Sequence, residues 1–153
     1  MTRLILLDSG PLGMAAHPKA EGITRDCQLW LNTLLRQGER IAIPEIADYE
    51  VRRELIRAGL VRSVRRLDQL IQTLEYIPID TPTMRRASEL WADIRRSGQP
   101  TADPKALDGD VILAAQRELF EGFLGKVGHG GFWWRSFLEI IDRQHCAIIS
   151  KLR

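Results

Sequence analysis

The chain has 153 residues, enough for one ordinary domain with an apolar core of its own and too few for two comfortable ones. Hydrophobic residues make up 44% and charged residues 27%, proportions that exclude a disordered chain, and no apolar run is long enough to span a bilayer. The net charge of +2 is too mild to mark a nucleic-acid partner by itself.

Residues 3–8, RLILLD, form a short apolar run closed by an acid, the pattern of a strand buried on both faces of a parallel sheet. Ser9-Gly10-Pro11 then turns the chain. Residues 23–36 carry Cys27, Trp30, Leu31, Leu34 and Leu35 at helical spacing, and Gly38 stops that helix. Residues 40–43 read as a second strand. Pro44 opens a helix that runs to Gly59, at a position proline tolerates. Residues 61–75 form another amphipathic helix, with Val64, Leu67, Leu70, Ile71 and Leu74 on one face. Residues 76–79 are a third strand. Residues 81–97 are helical, with Thr83 or Thr81 as cap and Gly98 as stop. Residues 98–105 are a loop, and residues 107–120 a helix with Ile112, Leu113 and Ala115 inward. The order β-α-α-β-α-α-β-α-α predicts one α/β domain over residues 1–153, a parallel sheet sandwiched by helices.

The region after Glu118 differs in composition. It holds all four phenylalanines, five of the twelve glycines lie between Gly122 and Gly131, and no proline follows Pro104. A strand over residues 123–127, a helix over residues 133–142 and a last strand over residues 146–149 are the elements it offers. The abrupt change also fits a tail produced by a shifted reading frame.

The arginines are unevenly spread. Arg52, Arg53, Arg57, Arg62, Arg65 and Arg66 crowd one stretch, followed by the pairs Arg85–Arg86 and Arg95–Arg96. Such runs serve either as solvated helix faces or as a track for phosphates or an acidic partner. His17, His129 and His145 lack metal spacing, and no phosphate-binding glycine loop occurs. Phe132-Trp133-Trp134 reads as core or dimer contact, with base stacking as the alternative. Two cysteines without motif spacing, Cys27 and Cys146, suit a reducing, cytoplasmic setting, and the four-residue apolar core of MTRLILLDSG is too short for a signal peptide.

The carboxylates carry more information. Ligands of a parallel α/β sheet bind outside the carboxyl ends of its strands. Asp8 ends the first strand, Glu50 lies about two turns into the helix after the second, and Asp108 and Asp110 stand where the loop enters the helix of residues 107–120. Carboxylates brought together repel unless a cation joins them, and oxygen ligands without His or Cys favour Mg²⁺ or Mn²⁺ over Zn²⁺. Taken singly, each acid has a plain structural role: Asp8 as a turn former, Glu50 as a surface helix residue, Asp108 as a helix cap.

The segments LILLDSGPLG, IPEIADYEVRREL and LDGDVILAAQ resemble the three acidic motifs of PIN domains, and among these the VapC-type toxins of bacterial toxin–antitoxin pairs. The most specific is the last, where Asp110 precedes Val111-Ile112-Leu113 and the paired alanines Ala114-Ala115. The resemblance covers residues 3–117. It implies a three-layer α/β/α fold with a central, mostly parallel sheet, and a Mg²⁺- or Mn²⁺-dependent endoribonuclease acting on single-stranded RNA. Asp8, Glu50 and Asp110 match the family's metal-binding acids, with Asp108 an extra acid beside them and Glu45, Asp48 and Asp103 weaker candidates. Ser9 resembles the small hydroxyl residue that follows the family's first acid and orients a ligand or phosphate. The resemblance further implies a small antitoxin protein as partner and a homodimer, for which the apolar faces around residues 67–74 and 30–35 offer surface. Residues 123–134, FLGKVGHGGFWW, depart from the family. They stand where a further strand, a threonine–asparagine element and often a fourth acid belong, and no acid lies between Glu121 and Glu139. With the site so reduced, the alternative is a catalytically impaired module that binds RNA or an antitoxin, or another metal-dependent phosphatase or nuclease on the same architecture. The departure predicts an irregular or displaced segment over residues 123–137, with Asp108 partly replacing the missing acid.

Overall fold

The computed structural model describes residues 4–97 and 104–124, and the chain divides into two compact units, Met1–Pro78 and Ile79–Arg153. The described elements are mixed α/β and mostly helical, and run β-α-α-β-α-α-β-α-α, the first helix standing where the sequence predicts a turn.

The first unit is built on three parallel strands in the order β1-β2-β3: β1 Leu4–Leu6, β2 Arg40–Pro44 and β3 Glu75–Ile77. β1 lies beside β2 with Leu4 opposite Arg40 and Leu6 opposite Ala42, and Leu7 N–H continues the ladder to the Ala42 carbonyl at 3.0 Å. β2 in turn pairs with β3, Ala42 opposite Glu75 and Pro44 opposite Ile77. Ile41, Ala42, Ile43 and Pro44 are all buried, so the middle strand is covered on both faces, as its unbroken apolar run requires.

Four helices complete this unit: α1 Ser9–Ala15, α2 Gly22–Arg36, α3 Glu45–Arg57 and α4 Val61–Thr73. Where a turn is expected at Ser9-Gly10-Pro11, the chain instead enters α1. Pro11 falls in the first helical turn, where a missing N–H costs nothing, so the signal of a turn and that of a helix start are the same here. Gly38 and Gly59, at φ 76° and 67°, end α2 and α3 in the left-handed conformation that a side chain would disfavour. Leu7, Leu12, Cys27, Leu31, Leu34, Ile43 and Leu67 close into one core, and Trp30, Leu70, Ile71 and Leu74 pack against it. Of the two faces expected to offer dimer surface, Leu31, Leu34 and Leu67 lie in this core, Trp30, Leu70, Ile71 and Leu74 are partly buried against it, and Leu35 is exposed. The large apolar side chains left exposed in this unit are Ile23, Leu29, Leu35, Tyr49, Ile56, Leu60 and Val61.

The second unit pairs α5 Thr81–Arg96 with α6 Pro104–Leu124. The α5 cap is Asp80 rather than a threonine. Its Oδ1 accepts from Thr83 N at 2.8 Å and from Thr83 Oγ1 at 2.7 Å, so Thr83 is the residue three positions inside. Ala87, Leu90 and Ile94 pack against Leu107, Val111 and Ala115. The inward stripe of α6 is therefore 107-111-115, with Ile112 half-buried beside it and Leu113 likewise half-buried. Arg86 ties the two helices together, donating to Glu118 at 2.6 Å and to Glu89 at 2.8 Å. Phe123 and Leu124 close α6 instead of opening a strand. The remaining elements expected beyond them, the helix of residues 133–142 and the strand of residues 146–149, lie outside the described residues, as do Asp103, Lys126, His129, Phe132-Trp133-Trp134, His145 and Cys146.

β2 and β3 are clamped by a bidentate pair, Arg40 Nε and Nη2 each 2.6 Å from a Glu75 carboxylate oxygen. The Arg40 hydrogen bonds hold the Glu75 carboxyl below its ordinary 4.5. A depressed folded-state value means that the stabilisation is complete above the unfolded value and is lost as pH falls through the folded one. Thermal midpoints followed from pH 6 down to about pH 3 should fall for the wild type and fall less steeply for Glu75→Gln, which has no charge to lose.

Candidate metal centre

Asp8 is held where β1 becomes α1. Its backbone is extended, its carbonyl accepts the first helical bond from Leu12 N at 3.0 Å, and its Oδ1 accepts from Ser9 N at 2.6 Å and Ser9 Oγ at 3.3 Å. Ser9 therefore spends its hydroxyl on Asp8 itself. Oδ2 has no hydrogen bond among the described residues, so half of this carboxylate stays open to a ligand. Continuing the β1–β2 register by two residues sets Asp8 level with Pro44.

α3 starts directly after Pro44, with no loop between strand and helix. Glu50 is six residues further, about 9 Å along the helix. It belongs to the inward stripe: Ile46 lies one turn before it, and Ala47 and Val51 flank it, all three buried. Val51 also marks where α1 approaches, since a Cβ built on Gly13 would lie 4.0 Å from Val51 Cγ2. Glu50 is half-buried and has no hydrogen bond or ion pair among the described residues. Partly buried carboxylates usually find a donor, so an inward-facing acid without one is a candidate ligand.

The weaker candidates behave differently. Asp48, 13% exposed, accepts from Arg52 Nε at 3.0 Å and from the Tyr76 hydroxyl at 3.1 Å. Arg52 also donates to Asp68 of α4 at 2.8 Å. This knot joins α3, α4 and β3. Desolvation lowers the Arg52 pKa, but its hydrogen bond to Asp68 and the charge of Asp48 outweigh it and the net shift is upward. Burial, then the charges of Asp48 and Glu45, push the Tyr76 phenol above its ordinary range, so it stays a donor. Asp48 is thus a structural acid. Its i,i+4 spacing to Arg52 is legible in the sequence, whereas the Tyr76 partner on β3 is not. Glu45 is half-buried in the first turn of α3.

In the second unit, α6 begins at Pro104, so Asp108 and Asp110 lie in its second turn rather than at its entrance, and Asp108 is not a cap. Asp110 is half-buried and Asp108 exposed. Two residues apart on a helix means about 200° of rotation, which puts them on opposite flanks of the 107-111-115 stripe. Among the described residues no group of three or more His, Cys, Asp or Glu side chains stands ready to hold a metal ion. No protein-family model matches the chain, and neither a curated protein nor a solved structure does so.

The knot generates its own expectation. Arg52→Met should cost about 1–2 kcal/mol in urea denaturation, because it strips Asp48 of its charged donor while solvent screens part of the loss. Tyr76→Phe should cost about 1 kcal/mol.

Proposed function

We propose that the chain is a metal-dependent endoribonuclease of the PIN type, its sheet completed into a three-layer α/β/α fold. Asp8, Glu50 and Asp110 are its metal ligands and single-stranded RNA its substrate. The observation that carries this reading is Glu50, an inward-facing, half-buried carboxylate with no hydrogen bond or ion pair among the described residues, following the strand that pairs with the one ending in Asp8. The open Oδ2 of Asp8 supports it. The donor set fits the ion, since carboxylate oxygens without thiolate or imidazole suit Mg²⁺ or Mn²⁺. Bound there, the metal supplies an acidified water and neutralises charge on the leaving oxygen of a phosphodiester.

In this reading the protein's own part is positioning. Ser9 fixes the Asp8 carboxylate by its N–H and hydroxyl, which leaves one oxygen free. Ile46, Ala47 and Val51 fix the helix that carries Glu50. Asp108, on the flank of α6 away from Asp110, acts at most through a water. A small antitoxin as partner and a homodimer remain part of the proposal. The absence of a ready three-acid group among the described residues favours the second reading, a module that binds RNA or an antitoxin without cutting.

Cleavage of an unstructured RNA separates the two. Activity should require Mg²⁺ or Mn²⁺ and vanish in EDTA. Asp8→Asn, Glu50→Gln and Asp110→Asn should each lower it at least about a hundredfold, since an amide is a poorer ligand for a hard cation. Asp108→Ala should retain most of it. Cleavage that survives chelator, or survives Glu50→Gln, would sink the mechanism. No cleavage by the wild type would leave the binding module.

A further inference from the structure

The acids of α5, Glu89 and Asp93, lie on one flank, and both are neutralised within the helix, by Arg86 at 2.8 Å and by Arg96 at 2.6 Å. The adjoining outer face holds Met84, Arg85, Ser88, Trp91 and Arg95, all exposed. Neither Arg85 nor Arg95 has an acidic partner among the described residues. Trp91 is 38% exposed, a large indole left at the surface, and the Arg95 guanidinium lies over its ring at 5.0 Å. Towards the start of the helix the same face runs into an open depression lined by Ile79, Asp80, Thr81, Met84, Arg85 and Ser88. The one carboxylate there, Asp80, is engaged as the helix cap by Thr83.

We infer that this face of α5 is a binding surface for single-stranded RNA, with a base stacked on Trp91 and phosphates held by Arg85 and Arg95. Two guanidiniums without acidic partners favour a polyanion. The exposed indole selects one that carries aromatic bases, because stacking on a side chain needs a base face that a duplex keeps hidden. Arg85 and Arg95 are ten residues apart, about 15 Å along the helix, so they serve different phosphates of one strand. An exposed cation–π contact is weaker than base–aromatic stacking, so a base can take the place of Arg95 over the indole and free its guanidinium for phosphate. The inference deepens the ribonuclease reading by giving the substrate a docking face, and in that sense rests on it.

The test is fluorescence anisotropy of a labelled, unstructured RNA oligonucleotide on the full chain in EDTA, where nothing is cut. Trp91→Ala should weaken binding about tenfold, and Trp91→Phe should recover most of it. Arg85→Gln and Arg95→Gln should each reduce the slope of log affinity against log salt by about 0.7. Heparin, a polyanion without bases, should bind Trp91→Ala as well as the wild type, and duplex RNA should compete poorly. The inference is overturned if the wild type does not bind the RNA at low salt, or if Trp91→Ala binds it unchanged. Equal losses for RNA and heparin would also overturn it, in favour of an acidic partner. RNA binding that depends on Trp91 in a protein that never cuts RNA would instead count against the ribonuclease reading alone.

Discussion

Parallel pairing about β2 is the constraint from which the first unit follows. Its residues are buried on both faces, so β1 and β3 must flank it and helices must cover it. Parallel neighbours also bring their carboxyl ends to the same edge, which is why Asp8 and the start of α3 are level. Pro44 then matters twice. It has no N–H to extend the ladder, so it ends the strand, and its extended backbone serves as the cap of α3. A strand that becomes a helix without a loop leaves no slack in where Glu50 stands.

On α3, partnership distinguishes two neighbouring acids: among the described residues Glu50 has no hydrogen bond or ion pair, and Asp48 has several. Asp48 is two residues from Glu50, yet it is saturated by Arg52 and Tyr76, and through them it fastens three elements. Glu75 and Glu118 are likewise spent on Arg40 and Arg86. Much of the arginine-rich character of the chain is consumed in this way, since Arg40, Arg52, Arg57, Arg86 and Arg96 all pair with acids. Arg85 and Arg95, without acidic partners among the described residues, share the outer face of α5.

The strands and most helices were legible because their signals were local. The run LILL, the apolar RIAIP, and Gly38 and Gly59 after amphipathic stretches each leave few alternatives. The misses share a cause. Pro11 marks a turn and a first helical turn equally. Thr83 and Asp80 are both good caps, and only the backbone shows which stands outside the helix. Leu67 and Leu31 lie on faces whose periodicity says that they are buried but not against what, and both lie in the core of the first unit. At the candidate site, the position of Glu50 on the inward stripe could be read from Ile46, Ala47 and Val51. That Asp48 would be claimed by Tyr76 could not, because the contact joins residues 28 apart in sequence.

Among the described residues Glu50 has no hydrogen bond or ion pair, and the proposed metal ion would be its partner. Titrating Mn²⁺ into the protein without RNA, by calorimetry or by the loss of the free-ion paramagnetic resonance signal, tests it most directly. The account predicts saturable binding by the wild type, binding retained in Asp48→Asn, and binding lost in Glu50→Gln. Equal binding by wild type and Glu50→Gln, or no binding by the wild type, would contradict it.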